Sequence, residues 1–132
     1  MVKNADNKRM QSKRILVVDD EPLVTESIQF MLSNEHHVAD IAASGEEAWE
    51  KVQTRNFDLV MTDYNMPGMK GDQLAKAIKS RHPHQPILLL TGFARAASAF
   101  QVDLIVEKPC SMQKLREALS KVFEPRIHPD LL

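Results

Sequence analysis

At 132 residues the chain suits one domain with a single sizeable core. Its 43% hydrophobic and 27% charged residues are ordinary for a globular protein, and a net charge of −1 excludes global attraction to nucleic acid or to an anionic membrane. The single Cys110 excludes an internal disulfide and fits a reducing cytoplasm, and no apolar stretch approaches the roughly 18 residues of a membrane helix.

Residues 1–13 are polar and carry Lys3, Lys8, Arg9 and Lys13 without an apolar run, so they read as a disordered basic tail and not as a signal peptide. Ile15–Val18 then forms a short apolar run that ends in Asp19-Asp20-Glu21. From Pro22 to Asn34 the apolar residues Val24, Ile28, Met31 and Leu32 share one helical face, and Pro22 suits a first turn that needs no N–H. His37–Ala42 reads as a second strand, with Val38 and Ile41 as its main apolar residues. Ser44 and Glu47 form a capping box that opens a helix to about Arg55, with Ala48, Trp49 and Val52 facing inward.

Leu59–Met61 is a further apolar run and ends in Thr62-Asp63. The segment Asp72–Arg81 is a third helix burying Leu74 and Ile78, and it stops before Pro83. Ile87–Leu90 runs into Thr91-Gly92, and only Phe93 to about Gln101 remains for a short fourth helix. Leu104–Val106 ends in Glu107-Lys108-Pro109, and Ser111 caps a last helix to Phe123 whose stripe is Met112, Leu115, Leu119 and Val122. Residues 125–132, with two prolines, read as a disordered C-terminal tail.

Strand and helix alternate throughout. Such alternation implies an α/β fold with a five-stranded parallel sheet and helices on both faces. Continuous apolar runs suit strands buried on both sides. The flavodoxin-like order 2-1-3-4-5 sets the first and third strands side by side at the switch point, where ligands bind beyond the carboxyl ends of strands. That edge would collect Asp19, Asp20, Asp63, Thr91 and Lys108. Crowded carboxylates repel and resist ionisation unless a cation joins them, and all-oxygen ligands favour Mg²⁺, or Mn²⁺, over zinc. The constellation reads as a metal-assisted phosphoryl site in which Asp63 can attack a phosphoryl donor. Plainer readings exist: Asp19 and Asp20 as helix caps, Asp63 as an ordinary strand end, and Lys108-Pro109 as a surface lysine before a loop proline. The coincidence of all of them at matching strand ends outweighs these. There is no Walker-type Gly-x-x-x-x-Gly-Lys-[Ser/Thr], which excludes a P-loop.

Asp19-Asp20, Asp63 within Thr-Asp-Tyr-Asn-Met-Pro-Gly, Thr91-Gly92 and Lys108-Pro109 together resemble the receiver domain of bacterial two-component response regulators, over about residues 14–124. The resemblance implies that Asp63 is the phospho-acceptor for a sensor histidine kinase or phosphotransfer protein. It implies that Asp20, Asp63 and the Asn65 carbonyl ligate Mg²⁺, with Asp19 acting through water. Lys108, Thr91 and the N–H groups of Tyr64 and Gly92 would contact the phosphoryl group, and a cis bond at Lys108-Pro109 would aim the lysine. Two departures from the family pattern stand out. Ile105 occupies the position where the family's switch aromatic usually stands, which leaves Thr91, Phe93 and Ile105 as switch candidates. The Thr91-to-Lys108 segment is also short. Phe93 is expected to slow hydrolysis of an acyl phosphate.

The expected function is a cytoplasmic, phosphorylation-dependent switch that modulates a protein partner and catalyses at most its own phosphorylation and dephosphorylation. No nucleic acid is expected to bind this chain alone, for want of a basic recognition helix. Two alternatives are a Mg²⁺-dependent aspartyl-nucleophile phosphatase and a receiver-like domain that acts without phosphate. The phosphatase chemistry wants an acid two residues after the nucleophile, where this chain has Asn65. Cys110 and Trp49 are expected to be packing residues. The histidines His36, His37, His82 and His84 lack metal-binding spacing.

Overall fold

The computed structural model describes residues 11–92 and 101–124. The expected tails, apart from residues 11–13, lie outside the described residues, as do Phe93 and residues 94–100 of the expected fourth helix. Five strands, β1 (Arg14–Val18), β2 (Val38–Ala42), β3 (Leu59–Asp63), β4 (Ile87–Thr91) and β5 (Leu104–Glu107), form one sheet in the order β2-β1-β3-β4-β5. Every pairing is parallel. Four helices are described: α1 (Pro22–Asn34), α2 (Gly45–Thr54), α3 (Gly71–Arg81) and α4 (Met112–Phe123).

Period-two alternation sorts the central strands onto two cores. Leu16, Val18 and Val60 meet Ala48 and Val52 of α2 and Leu74 and Ile78 of α3. Ile15, Val17 and Met61 face the opposite way, against Ile28 and Leu32 of α1 and Leu115 and Leu119 of α4. The sheet is thus covered by helices on both faces, as the continuous apolar runs require. Trp49 is half-buried against the first core, with the Arg81 guanidinium 5.9 Å from its ring centroid. Cys110 packs against the second.

The helix starts follow their local chemistry. Ser44 Oγ accepts the Glu47 N–H at 3.0 Å, while the Glu47 carboxylate reaches back to the Ala43 N–H at 2.8 Å. That bond is the main reason the Glu47 carboxyl titrates below its ordinary range. Ser111 Oγ accepts the Lys114 N–H at 3.1 Å.

The margins of the sheet differ from the centre. Val38, read as one of the main apolar residues of the second strand, is 52% exposed, because β2 is an edge strand with a neighbour on one side only. The opposite edge, β5, is also half-covered, unlike the fully buried β3 and β4. Lys13, expected in the tail, is tied to the fold. Its N–H donates to His37 Nδ1 at 3.0 Å, its carbonyl accepts from Val38 N–H at 2.9 Å, and its ammonium lies 4.9 Å from the Phe123 ring centroid.

Candidate functional site

The register of the sheet brings the expected residues to one edge. Val18 pairs with Thr62, so the residues that follow, Asp19 and Asp63, leave adjacent strands side by side. Leu90 stands beside both Asp63 and Val106, and Thr91 ends β4 opposite Glu107, just before Lys108. The backbone fixes these ends. Asp19 N–H donates to Ala42 O at 3.1 Å, Tyr64 N–H to Leu90 O at 2.9 Å, and Lys108 N–H to Thr91 O at 2.9 Å. The Tyr64 N–H expected at the phosphate is therefore already engaged in the sheet ladder.

Asp19, Asp63 and Thr91 are buried, and Asp20 is exposed. One carboxylate oxygen from each of Asp19, Asp20 and Asp63 lies within 4.8 Å of the others. Lys108 Nζ sits 2.8 Å from Asp63 Oδ1 and 3.6 Å from Asp19 Oδ2. Asp19 Oδ1 accepts the Glu21 N–H at 2.9 Å, but Asp19 Oδ2 is buried without a hydrogen-bond partner. The N-cap of α1 is Glu21, which makes no side-chain cap bond, so neither aspartate serves as the cap that a plainer reading would assign.

Three acids against one ammonium leave the site electrostatically unbalanced. Burial pushes the Asp19 carboxyl above the usual carboxylate range, against the Glu21 N–H and Lys108 that hold it down, and the Asp63 and Asp20 charges add to the rise. Burial alone would lower the Lys108 ammonium, but its bond to Asp63 and the Asp63 and Asp19 charges raise it overall. Lys108 is therefore charged throughout the neutral range. The donor set of three hard carboxylates, with one buried oxygen still lacking a donor, fits a small divalent cation such as Mg²⁺.

The loop after Asp63 is held closely. A Cβ on Gly71 would collide with the Asp63 carbonyl oxygen and come within 2.9 Å of Tyr64 Cα, so only glycine lets α3 start against the end of β3. Gly68 adopts φ +73°, which favours glycine, and the Glu46 carboxylate lies over it and accepts the Met69 N–H at 3.2 Å. Asn65 is exposed, with its side-chain oxygen 3.2 Å from Lys70 Nζ. The Lys108–Pro109 peptide bond is cis. Gly92 ends the described part of β4's exit, where a Cβ would meet no described atom within 4 Å. Ile105 lies half-buried in β5 beside Leu89. Sequence reasoning missed Glu46 and Lys70 as supports of this loop.

Comparisons with known proteins agree with this geometry. The family model described as "Response regulator receiver domain" matches residues 15–120. The chemotaxis protein CheY of Pseudomonas aeruginosa is 34% identical over 119 residues, covering 84% of this chain and 96% of CheY. The response regulator protein FleR of the same organism is also 34% identical over 119 residues, but the chain spans only 24% of its length while 90% of this chain is covered. Among solved structures, the Thermotoga maritima response regulator TrrA in complex with Mg²⁺-BeF superposes with a TM-score of 0.79 at 37% identity, covering 84% of this chain and 99% of that one. TrrA in complex with the histidine kinase ThkA gives a TM-score of 0.77 at 36% identity, covering 85% and 99%. A sheet edge with this acidic cluster and its lysine, on a chain matched along most of its length by that family model, leaves one assignment: the chain belongs to the response regulator receiver domain family.

Proposed function

We propose that the chain is a phosphorylation-dependent signalling switch whose acceptor is Asp63, loaded from a histidine kinase or phosphotransfer protein. The observation that carries this reading is the contact of Lys108 Nζ with Asp63 Oδ1 at 2.8 Å inside a three-carboxylate cluster. It places a fixed cation beside the one carboxylate held between β1 and β4. The chain's domain is taken as residues 14–124.

An Asp63 oxygen attacks the phosphorus of a phosphohistidine. A P–O bond forms, the P–N bond breaks, and the imidazole nitrogen keeps the electron pair and later takes a proton. The product is an acyl phosphate, and no oxidant or reductant is needed. Lys108 exchanges its Asp63 partner for a phosphoryl oxygen, and an ammonium about 4 Å from such an oxygen contributes roughly 4 kcal/mol at an effective dielectric near 20. Thr91 and the Gly92 N–H supply further donors. Asp20, Asp63 and the Asn65 carbonyl would hold Mg²⁺, with Asp19 acting through water, and the bound cation would neutralise the carboxylates and the phosphoryl oxygens.

The acquired charge of about −1.5 to −2 then draws Thr91 inward and shifts the population of arrangements around β4 and β5, which a partner protein reads. TrrA's complexes with Mg²⁺-BeF and with a histidine kinase support the cation and the donor. A cytoplasmic setting fits this chemistry, and among the described residues no helix is long and apolar enough to cross a membrane. The phosphatase alternative lacks support at Asn65, which offers no titratable acid.

The test is intact-protein mass after incubation with acetyl phosphate. One added phosphoryl group is expected, dependent on Mg²⁺ and absent from Asp63→Ala. An adduct that survives Asp63→Ala would refute the assignment.

A further inference from the structure

Two lysines stand where helix electrostatics disfavours them. Lys70 is the N-cap of α3, and its side chain has no acceptor for the orphan N–H groups there. Lys114 lies in the first turn of α4, where its own N–H is taken by Ser111 Oγ. The positive end of a helix favours acids, so a cation at either place costs stability. Among the described residues neither lysine forms an ion pair. A sequence that breaks a local rule twice, in the same way, on both sides of one site invites a functional reason.

Both ammonium groups are turned onto loop oxygens. Lys70 Nζ donates to Met66 O at 3.3 Å and to Asn65 Oδ1 at 3.2 Å. Lys114 Nζ donates to Glu107 O at 3.2 Å and to Pro109 O at 3.3 Å, the carbonyls on either side of Lys108. Each lysine therefore closes a loop onto the helix that follows it. The loops differ in what they carry: Asn65 for the cation on one side, Lys108 for the phosphoryl group on the other.

The geometry points to Lys70 and Lys114 as positioning residues with separate duties, Lys70 holding the Asn65 loop for Mg²⁺ and Lys114 holding Lys108 for the phosphoryl group. A charged hydrogen bond strengthens a carbonyl's fixed direction, and removing it lets the loop sample orientations that bind less well. The inference rests on the receiver reading above.

The experiment uses the full chain as wild type, Lys70→Met, Lys70→Arg, Lys114→Met and Lys114→Arg. Mg²⁺ affinity is read by calorimetric titration, the rate of phosphorylation by acetyl phosphate is read at saturating Mg²⁺, and Tm is read without metal. Lys70→Met should weaken Mg²⁺ roughly fivefold and leave the saturated rate within about twofold. Lys114→Met should slow the saturated rate roughly fivefold and leave Mg²⁺ affinity within about twofold. Each arginine variant, which keeps a donor, should recover most of the loss. The Tm of both methionine variants should stay level or rise, because a cation leaves a helix N-terminus. Wild-type values throughout, or equal losses of affinity and rate accompanied by a fall in Tm, would overturn the proposal. A wild type that neither binds Mg²⁺ nor takes a phosphoryl group would overturn the receiver reading and the clamps with it.

Discussion

The two ends of the parallel sheet are built from the same residue types to opposite purposes. At the amino end three side-chain acceptors are spent on N–H groups at or just before a strand's start. Asp58 Oδ2 accepts from Arg14 N–H at 2.8 Å and His37 Nδ1 accepts from Lys13 N–H at 3.0 Å. Asp103 Oδ2 accepts from Ile87 N–H at 2.8 Å and from Lys79 Nζ at 2.7 Å. At the carboxyl end three acids converge, two of them on Lys108, and a buried oxygen of Asp19 is left without a donor. One end distributes charge and satisfies the backbone, the other concentrates charge and leaves it unsatisfied. The difference teaches that stability and chemistry are placed at opposite ends of the strands, so an amino-end substitution should cost stability and leave phosphorylation intact, whereas a carboxyl-end one should impair the chemistry without costing stability.

The largest departure from symmetry should come from Lys108→Met. Phosphorylation by acetyl phosphate should slow about a hundredfold, consistent with the loss of a close charge contact in a partly solvated site. A rate near wild type would erase the contrast at its strongest point. Asp103→Ala should do the reverse, lowering the unfolding free energy by about 1–2 kcal/mol in urea titration because the buried Ile87 loses the acceptor for its N–H. Its phosphorylation rate should match wild type.

Asp19→Asn sharpens the comparison further. Removing one charge from the crowded cluster should stabilise the metal-free protein by about 1 kcal/mol while weakening Mg²⁺ binding. Thermal denaturation with and without Mg²⁺ checks both halves. A destabilised metal-free variant would mean that Asp19 serves the fold as Asp103 does.

The smallest expected effect is a pH dependence at the amino end. Burial holds His37 below the ordinary histidine value of 6.5, with Glu35 opposing and the Lys13 and His36 charges adding. The folded protein therefore takes up this proton at lower pH than the unfolded chain does. The stability linked to it is whole above about pH 6.5 and is lost as pH falls through the lower folded value. His37→Asn keeps an acceptor but cannot titrate. Its urea midpoint should fall less than that of wild type between about pH 7.5 and about pH 5, and an equal fall would remove His37 from the account.

The same division explains what could be read in the chain. Asp19, Asp63, Thr91 and Lys108 were legible because each stands within two residues of the end of an apolar run, and a parallel sheet carries all such ends to one edge. The buried stripes of α1, α2, α3 and α4 were legible because helical period depends on local spacing alone. Val38 was not, since its exposure depends on β2 lying at the margin, a property of strand order and not of the strand. Thr25 is buried in α1 although the period pointed to Val24, because its hydroxyl is satisfied by Pro22 O at 3.0 Å. Lys70, Lys114 and His37 escaped notice for a shared reason. Their partners are loop backbone atoms and, for Lys70, the Asn65 side-chain oxygen, which come within reach only once the loops are folded, and in sequence the three resemble solvated side chains. The one local clue, a lysine at a helix start, carries meaning only once the helix boundary is known.

Gly71 sets a limit on how this chain can vary among its kin. With its missing side chain pressed against the Asp63 carbonyl and Tyr64 Cα, the position admits one amino acid whatever occupies its surroundings. In a library randomised from Tyr64 to Asp72 and selected for folding alone, with no demand for phosphorylation, diversity should survive at the exposed Asn65 and Pro67 and collapse to glycine at 71. The most invariant point of the loop would then report a steric boundary, not a chemical role, and its constancy would persist in descendants that had given up signalling.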